Sequence, residues 1–197
     1  ETAARALELT RPWRDYTILA YDVESEGQLV LEGLQKRTAG FLNWLERNRQ
    51  FVTFAPVEEA LAARAPEQPL QVMFSGPVAV LREIEARLLA SPIRSEFRLL
   101  KTEYEFRDLA ILDLIHPHCS KGRALQAWSE RRGYRPEQVM AVGDNFNDRE
   151  MLEFAGVAVV MGNAVEDLKC GHWKTTGHCD QAGVADAVER WILGGLP

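Results

Sequence analysis

An α/β protein in two parts is expected from the sequence: a parallel wound unit over residues 116–197, preceded by a separate mixed α/β domain over residues 1–115. Two observations lead there. After His116, helical patterns alternate with short runs that are apolar throughout, Val139 to Val142 and Val157 to Met161, as parallel strands covered on both faces read. Before Ile115 the apolar pattern switches repeatedly between helical and extended spacing, with turn residues between the switches. A chain of 197 residues is one large domain or two small ones, long enough to bury a real core.

The first domain opens on a short helix carrying Ala3, Ala4 and Leu7. Two extended runs follow, Tyr16 to Val23 and Gln28 to Leu34, and Glu24-Ser25-Glu26-Gly27 between them predicts a hairpin. Phe41, Leu42 and Leu45 mark a helix, and Val57 to Ala65 a weaker one closed by Pro66 and Pro69. Leu70 to Phe74 alternates as a half-buried strand does. Pro77 suits the first turn of a helix whose Val78, Leu81, Ile84 and Leu88 share one face. Phe97 to Leu100 and Glu105 to Ile115 return as strands. This order suits a small sheet covered by helices on one face.

In the second unit, Ser120 is placed to cap a helix from Lys121 to about Arg132, with Gly133 ending it. The run Val139 to Val142 breaks at Gly143-Asp144-Asn145. Asp148 to Ala155 forms the next helix, stopped by Gly156, and Val157 to Met161 the next strand. A last helix is expected to turn Val184, Val188, Trp191 and Ile192 inward.

Composition narrows the function classes. With 23 basic and 29 acidic residues the net charge is −6, and no Lys/Arg block stands out, so nucleic acid and anionic membrane surfaces are not favoured partners. The longest apolar runs fall far short of the roughly 20 residues a membrane-crossing helix needs. Cys119, Cys170 and Cys179 are odd in number and irregular in spacing, a poor disulfide framework, which makes a reducing cytoplasm the default. The opening stretch lacks the basic start and apolar segment of a signal peptide, and a first residue Glu1 reads as a cut chain.

In open parallel sheets ligands bind beyond the carboxyl ends of the strands, and Gly143-Asp144 stands just past such an end. The residues that follow, Asn145, Phe146, Asn147 and Asp148, complete a set of two carboxylates and two amides before a helix N-terminus, where anions are favoured. That set suits a hard cation such as Mg²⁺ beside an anionic substrate. The plainer reading is a polar loop in which Asp148 or Asn147 caps the helix and Asp144 is a turn residue. Lys121 shifts the balance: in the first turn of its helix it opposes the dipole at roughly 0.3–1 kcal/mol, so it is either solvated or held to meet an anion.

The segments SKGRAL around Lys121, VMAVGDNFNDREMLEFAG from Val139 to Gly156, VVMGNA ending at Ala164 and the later GVADAVE resemble, in order and spacing, the last motifs of the haloacid dehalogenase (HAD) superfamily. Within it the chain resembles the Cof-like phosphatases with a large cap. The resemblance implies a HAD-like parallel core, of which residues 116–197 are the C-terminal part, and a separate α/β cap over residues 1–115. It also implies a Mg²⁺-dependent phosphohydrolase acting on small phosphorylated metabolites through an aspartyl-phosphate. Lys121 matches the lysine that neutralises the nucleophile and the substrate phosphate. Asp144 matches the Mg²⁺ ligand, and Asp148 the second acidic residue, which shares the metal or orients its waters. Asn147 and Asn163 match positions near the site that binds phosphate or substrate, Asn147 as a hydrogen-bond partner for the lysine or the phosphate.

The family's Asp-x-Asp-Gly-Thr motif is missing, as is its Ser/Thr motif, so the expectation for this chain is negligible turnover. A sheet lacking half its strands would need partner strands, from another copy or from a segment outside this chain. Asp22-Val23-Glu24 after an apolar run offers a degenerate substitute, but Glu24 is one methylene too long and Gly-Thr is replaced by Ser25-Glu26-Gly27; a strand ending at a hairpin explains it better. The competing class is a HAD-like scaffold that binds or assembles without catalysis. The clusters around His116, His118 and Cys119, Cys170 and His172, and His178, Cys179 and Asp180 do not show the paired Cys spacing of structural zinc sites and read as loop residues, with Cys119 partly buried. Trp13, Trp44, Trp128, Trp173 and Trp191 read as core or interface aromatics.

Overall fold

A computed structural model describes residues 1–22 and 28–194. The chain divides into two compact units, Glu1–Pro117 and His118–Pro197.

The first unit is built on a six-stranded mixed sheet. Its elements are helix α1 (Thr2–Leu9), strands β1 (Thr17–Ala20) and β2 (Leu29–Leu31), α2 (Ala39–Asn48), β3 (Val52–Phe54), α3 (Val57–Ala63), β4 (Gln71–Gly76), α4 (Val78–Leu89), β5 (Arg98–Tyr104) and β6 (Leu109–Ile115). The strand order is β3-β2-β1-β4-β6-β5, with only β2 and β3 parallel. β1 and β2 pair antiparallel as a hairpin requires, through Leu19 with Val30 and Ala20 with Leu29; the turn expected at Glu24 to Gly27 lies outside the described residues, as do Val23 and Glu24.

Side chains alternate across a strand, so each face of this sheet has its own core. On one face Leu19, Val30, Val72, Phe74, Leu112 and Leu114 pack with Leu7, Val57, Leu81, Ile84 and Leu88 from α1, α3 and α4. On the other, Ile18, Leu31 and Val52 meet Phe41 and Leu45 of α2. Helices therefore cover both faces, not one: Ile18 and Leu31 are fully buried, and an uncovered face would have left them in water. Pro77 stands at the N-cap of α4 rather than inside its first turn, and the free Val78 N–H donates to Asp108 Oδ1 at 3.0 Å. Residues Glu105–Arg107 form a turn of 3₁₀ helix, so the last strand begins only at Leu109.

The second unit holds α5 (Lys121–Arg132), β7 (Met140–Gly143), α6 (Arg149–Phe154), β8 (Val157–Val160), α7 (Glu166–Lys169), β9 (Lys174–Thr175) and α8 (Gly183–Trp191). β7, β8 and β9 form a three-stranded sheet in that order, all parallel, with Gly143 opposite Val160. Ser120 caps α5 by accepting the Arg123 N–H at 3.1 Å, and Gly133 closes it at φ 72°. The small core comprises Ala141, Leu152, Ala158, Val160, Ala164 and Leu168.

The inward face of α8 differs from expectation. Gly183 and Ala187 are its buried residues, while Val184 and Ile192 are 53% and 54% exposed. Small side chains let the helix backbone approach the loop at Gly177 closely, and that turns the larger residues outward. Trp44 and Trp128 are likewise exposed, at 39% and 51%, and so is Cys119; all three cysteines are free.

Candidate active site

The site is assembled at the carboxyl end of β7. Gly143 ends the strand, and an Asn145-capped turn of 3₁₀ helix, Phe146–Asp148, leads into α6. Asn145 Oδ1 accepts the Phe146 N–H at 2.7 Å, so neither Asn147 nor Asp148 is the side-chain cap. Asp148 instead folds back. Its Oδ2 accepts the backbone N–H groups of Asp144 at 3.0 Å and Asn145 at 3.2 Å, closing a capping box over the loop. Only glycine allows this, since a Cβ at position 143 would come within 2.5 Å of the Asp148 Cβ.

Lys121 enters from the first position of α5, and its Nζ lies 2.5 Å from Asp148 Oδ1. The anion that holds this lysine against the helix dipole is therefore Asp148. The approach of the two elements rests on Gly122, where a Cβ would stand 2.5 Å from the Glu150 Cβ on α6. Ser120, besides capping its own helix, donates its hydroxyl to Glu150 Oε2. Asp148 is 3% exposed, whereas the Lys121 side chain is about half exposed. Burial pushes the Asp148 carboxyl up, but the Lys121 ammonium and the two backbone N–H groups outweigh it and hold the group below its ordinary value.

Asp144 is exposed, and it is its backbone N–H, not its carboxylate, that Asp148 binds. Asn163 reaches it from the loop after β8, donating Nδ2–H to Asp144 Oδ2 at 3.2 Å. That loop is docked by the Met161 N–H on the Gly143 carbonyl, 3.0 Å, and the Val165 N–H on the Asp144 carbonyl, 3.1 Å. Asn163 Oδ1 in turn accepts the Cys179 N–H at 2.9 Å. Asn147 is exposed on the 3₁₀ turn. Lys121, Asp144, Asp148 and Asn163 are thus linked through a chain of direct bonds, with Asn147 beside it in sequence.

Sequence reasoning missed the Ser120–Glu150 bond and the second contact of Asn163. The first had a signal, since a capping serine carries a spare O–H; the second had none, because Asn163 and Cys179 are separated by β9. Asp22 belongs to the first unit, just past β1, a strand paired antiparallel on both sides.

A family model for haloacid dehalogenase-like hydrolases matches residues 31–188. An HMP-PP phosphatase of Cronobacter sakazakii is 42% identical over 89 residues, 44% of this chain and 33% of that protein. One from Serratia proteamaculans is 34% identical over 124 residues, 62% of this chain and 43% of its own length. The chain therefore spans less than half the length of these curated relatives. The crystal structure of a haloacid dehalogenase-like hydrolase from Bacteroides thetaiotaomicron superposes with a TM-score of 0.75 at 24% identity, covering 96% of this chain and 66% of that one. With the matched model covering most of the sequence and the fold shared, the chain belongs to the haloacid dehalogenase-like hydrolase family.

Proposed function

We propose that Lys121, Asp144 and Asp148 form the phosphate and Mg²⁺ end of a phosphohydrolase site, which in the whole protein acts on small phosphorylated metabolites. The observation that carries this reading is the ammonium of Lys121, fixed 2.5 Å from buried Asp148 while Asp148 also holds the backbone of exposed Asp144. A cation and an open carboxylate at one strand end suit an anion together with a hard metal. The HMP-PP phosphatases among the relatives support the same reaction class.

The donor set fits Mg²⁺. Asp144 offers hard carboxylate oxygens to solvent and accepts one hydrogen bond, from the Asn163 amide, that steadies it. When bound, the ion would neutralise charge on the phosphoryl group being transferred. Asp148 has both oxygens committed, so its role is to position Lys121 and the loop rather than to lead the coordination. Lys121 keeps two ammonium hydrogens for a phosphate, and Asn147 stands on the same turn to assist. Domain 1–115 acts as the cap and 116–197 as part of the catalytic core.

The attacking aspartate is not among these 197 residues, for no Asp-x-Asp-Gly-Thr run occurs in them. The chain by itself is accordingly expected to bind phosphate with Mg²⁺ but to turn over negligibly. That absence also favours the second reading, a scaffold that binds without catalysis. Calorimetric titration with inorganic phosphate, with and without Mg²⁺, tests the site. Binding should require Mg²⁺ and weaken about tenfold or more, ~1.4 kcal/mol, in Asp144→Asn and in Lys121→Met. Phosphate binding indifferent to both substitutions would overturn the assignment. Brisk hydrolysis of p-nitrophenyl phosphate that disappears in Asp22→Asn would overturn the missing nucleophile.

A further inference from the structure

Ahead of α8, three consecutive residues turn their donor atoms toward one point. His178 Nδ1 lies 3.6 Å from Cys179 Sγ and 3.4 Å from one carboxylate oxygen of Asp180, and Cys179 Sγ lies 3.8 Å from the other. Among the described residues this is the one group of three such donors within 4.8 Å of one another. Around a tetrahedral zinc with bonds of about 2.0–2.1 Å to N, about 2.3 Å to S and about 2.0–2.2 Å to O, the edges come to about 3.6 Å for N to S, about 3.6 Å for S to O and about 3.4 Å for N to O. The His178–Cys179 edge already has that length, and the two Asp180 oxygens each stand near one of the other two, so a rotation of the carboxylate brings one oxygen to close the face. The Asp180 side chain is 85% exposed, free to rotate one oxygen toward both neighbours.

The backbone beneath it is fixed before any ion arrives. The His178 carbonyl accepts N–H bonds from Gln181 at 3.0 Å and Gly183 at 3.2 Å, and the Cys179 N–H is held by Asn163 at 2.9 Å. A site whose main chain is already ordered loses less entropy on binding. All three side chains are exposed, so an ion and the waters completing its shell can reach them. The cost is one weak bond, since His178 Nδ1 now accepts the Asp180 N–H at 3.2 Å. The absence of paired Cys spacing argues against a closed four-ligand site; it does not bear on an open three-donor face.

We propose that His178, Cys179 and Asp180 form a second metal site, taking a borderline divalent transition ion of the Zn²⁺ class and rejecting Mg²⁺. Sulfur and imidazole nitrogen select such ions, while Mg²⁺ demands oxygen ligands. On binding, the Cys179 thiol releases its proton to solvent and the thiolate forms the metal–sulfur bond, with His178 coordinating as the neutral imidazole; nothing is oxidised or reduced. The site is independent of the phosphate pocket in its ligands.

Co²⁺ is the probe, titrated into the full chain under reducing conditions and followed by absorption. One equivalent should produce a sulfur-to-cobalt charge-transfer band with the strong visible bands of tetrahedral Co²⁺. The signal should persist in excess Mg²⁺ and in Asp144→Asn, vanish in Cys179→Ser, and demand about tenfold or more Co²⁺ in His178→Ala. Circular dichroism checks folding, and Asp180→Asn replaces the cysteine variant if that one misfolds, with the same weakening expected as for His178→Ala. No charge-transfer band, a band abolished by Mg²⁺, or a band surviving Cys179→Ser would overturn the proposal, the last by moving the ion to Cys119 or Cys170.

Discussion

At Asp148 a buried carboxylate answers three donors at once, and its protonation should be felt in stability. Because its folded pKa lies below the ordinary value of about 3.9, its contribution is present above that value and lost as pH falls through the lower folded one. Lys121→Ala removes one donor and should cost about 1–3 kcal/mol at pH 7. In urea unfolding the gap between the two proteins should narrow progressively as pH falls below about 4. Asp113 on β6 behaves in the opposite sense. Its Oδ1 is shielded with no hydrogen-bond partner among the described residues, and burial pushes the carboxyl up to about 6. Folding then favours the protonated form, so stability falls as pH rises from about 4 to about 6 and stays lower above that. Asp113→Asn should therefore be more stable than the parent at pH 7, by about 1–3 kcal/mol after allowing for partial exposure, and equal to it at pH 4. Urea midpoints at the two pH values decide this.

Among the elements, β1 and β4 are tied by a residue that no motif announces. Arg37 is 8% exposed; its guanidinium donates to the carbonyls of Tyr16 at 3.0 Å, Thr17 at 3.0 Å and Ser75 at 3.2 Å, and lies 4.6 Å from the centre of the Phe41 ring. Burial lowers its pKa to about 10, which leaves it charged at neutral pH. Arg37→Met keeps the stem but strands those carbonyls, and thermal denaturation should register a loss of about 1–3 kcal/mol or more. Elements with a long period were legible: α4 and α5 lie where the apolar spacing and the capping residues put them. Those missed are the short ones. β3 has three residues and β9 two, too few for any alternation to register, and they become strands only because neighbours supply the other half of the ladder. α8 misled for a different reason, since its contact is made by Gly183 and Ala187, which a search for large apolar residues passes over.

For the molecule as a whole, the wound half was easier to read than the half before it. A strand, a polar loop and a helix in immediate succession leave few places for the chain to go, so Gly143 to Asp148 announced a candidate site at a strand end, and Lys121, 27 residues upstream of Asp148, is bonded to it. The mixed sheet depends on pairings between distant strands, β4 with β6 and β1 with β4, which no local pattern encodes. The edge of the small sheet along β7 is unpaired among the described residues, and no described helix is long and apolar enough to cross a membrane. One side chain ties that unit together beyond its strands. Asn163 gives its amide hydrogen to an acid on one loop, and its oxygen accepts a main-chain N–H from another. It works as a tie bar: a ligand that tugs on Asp144 loads the Cys179 backbone through two bonds, so slack in either loop becomes shared slack, and tightening one tightens both.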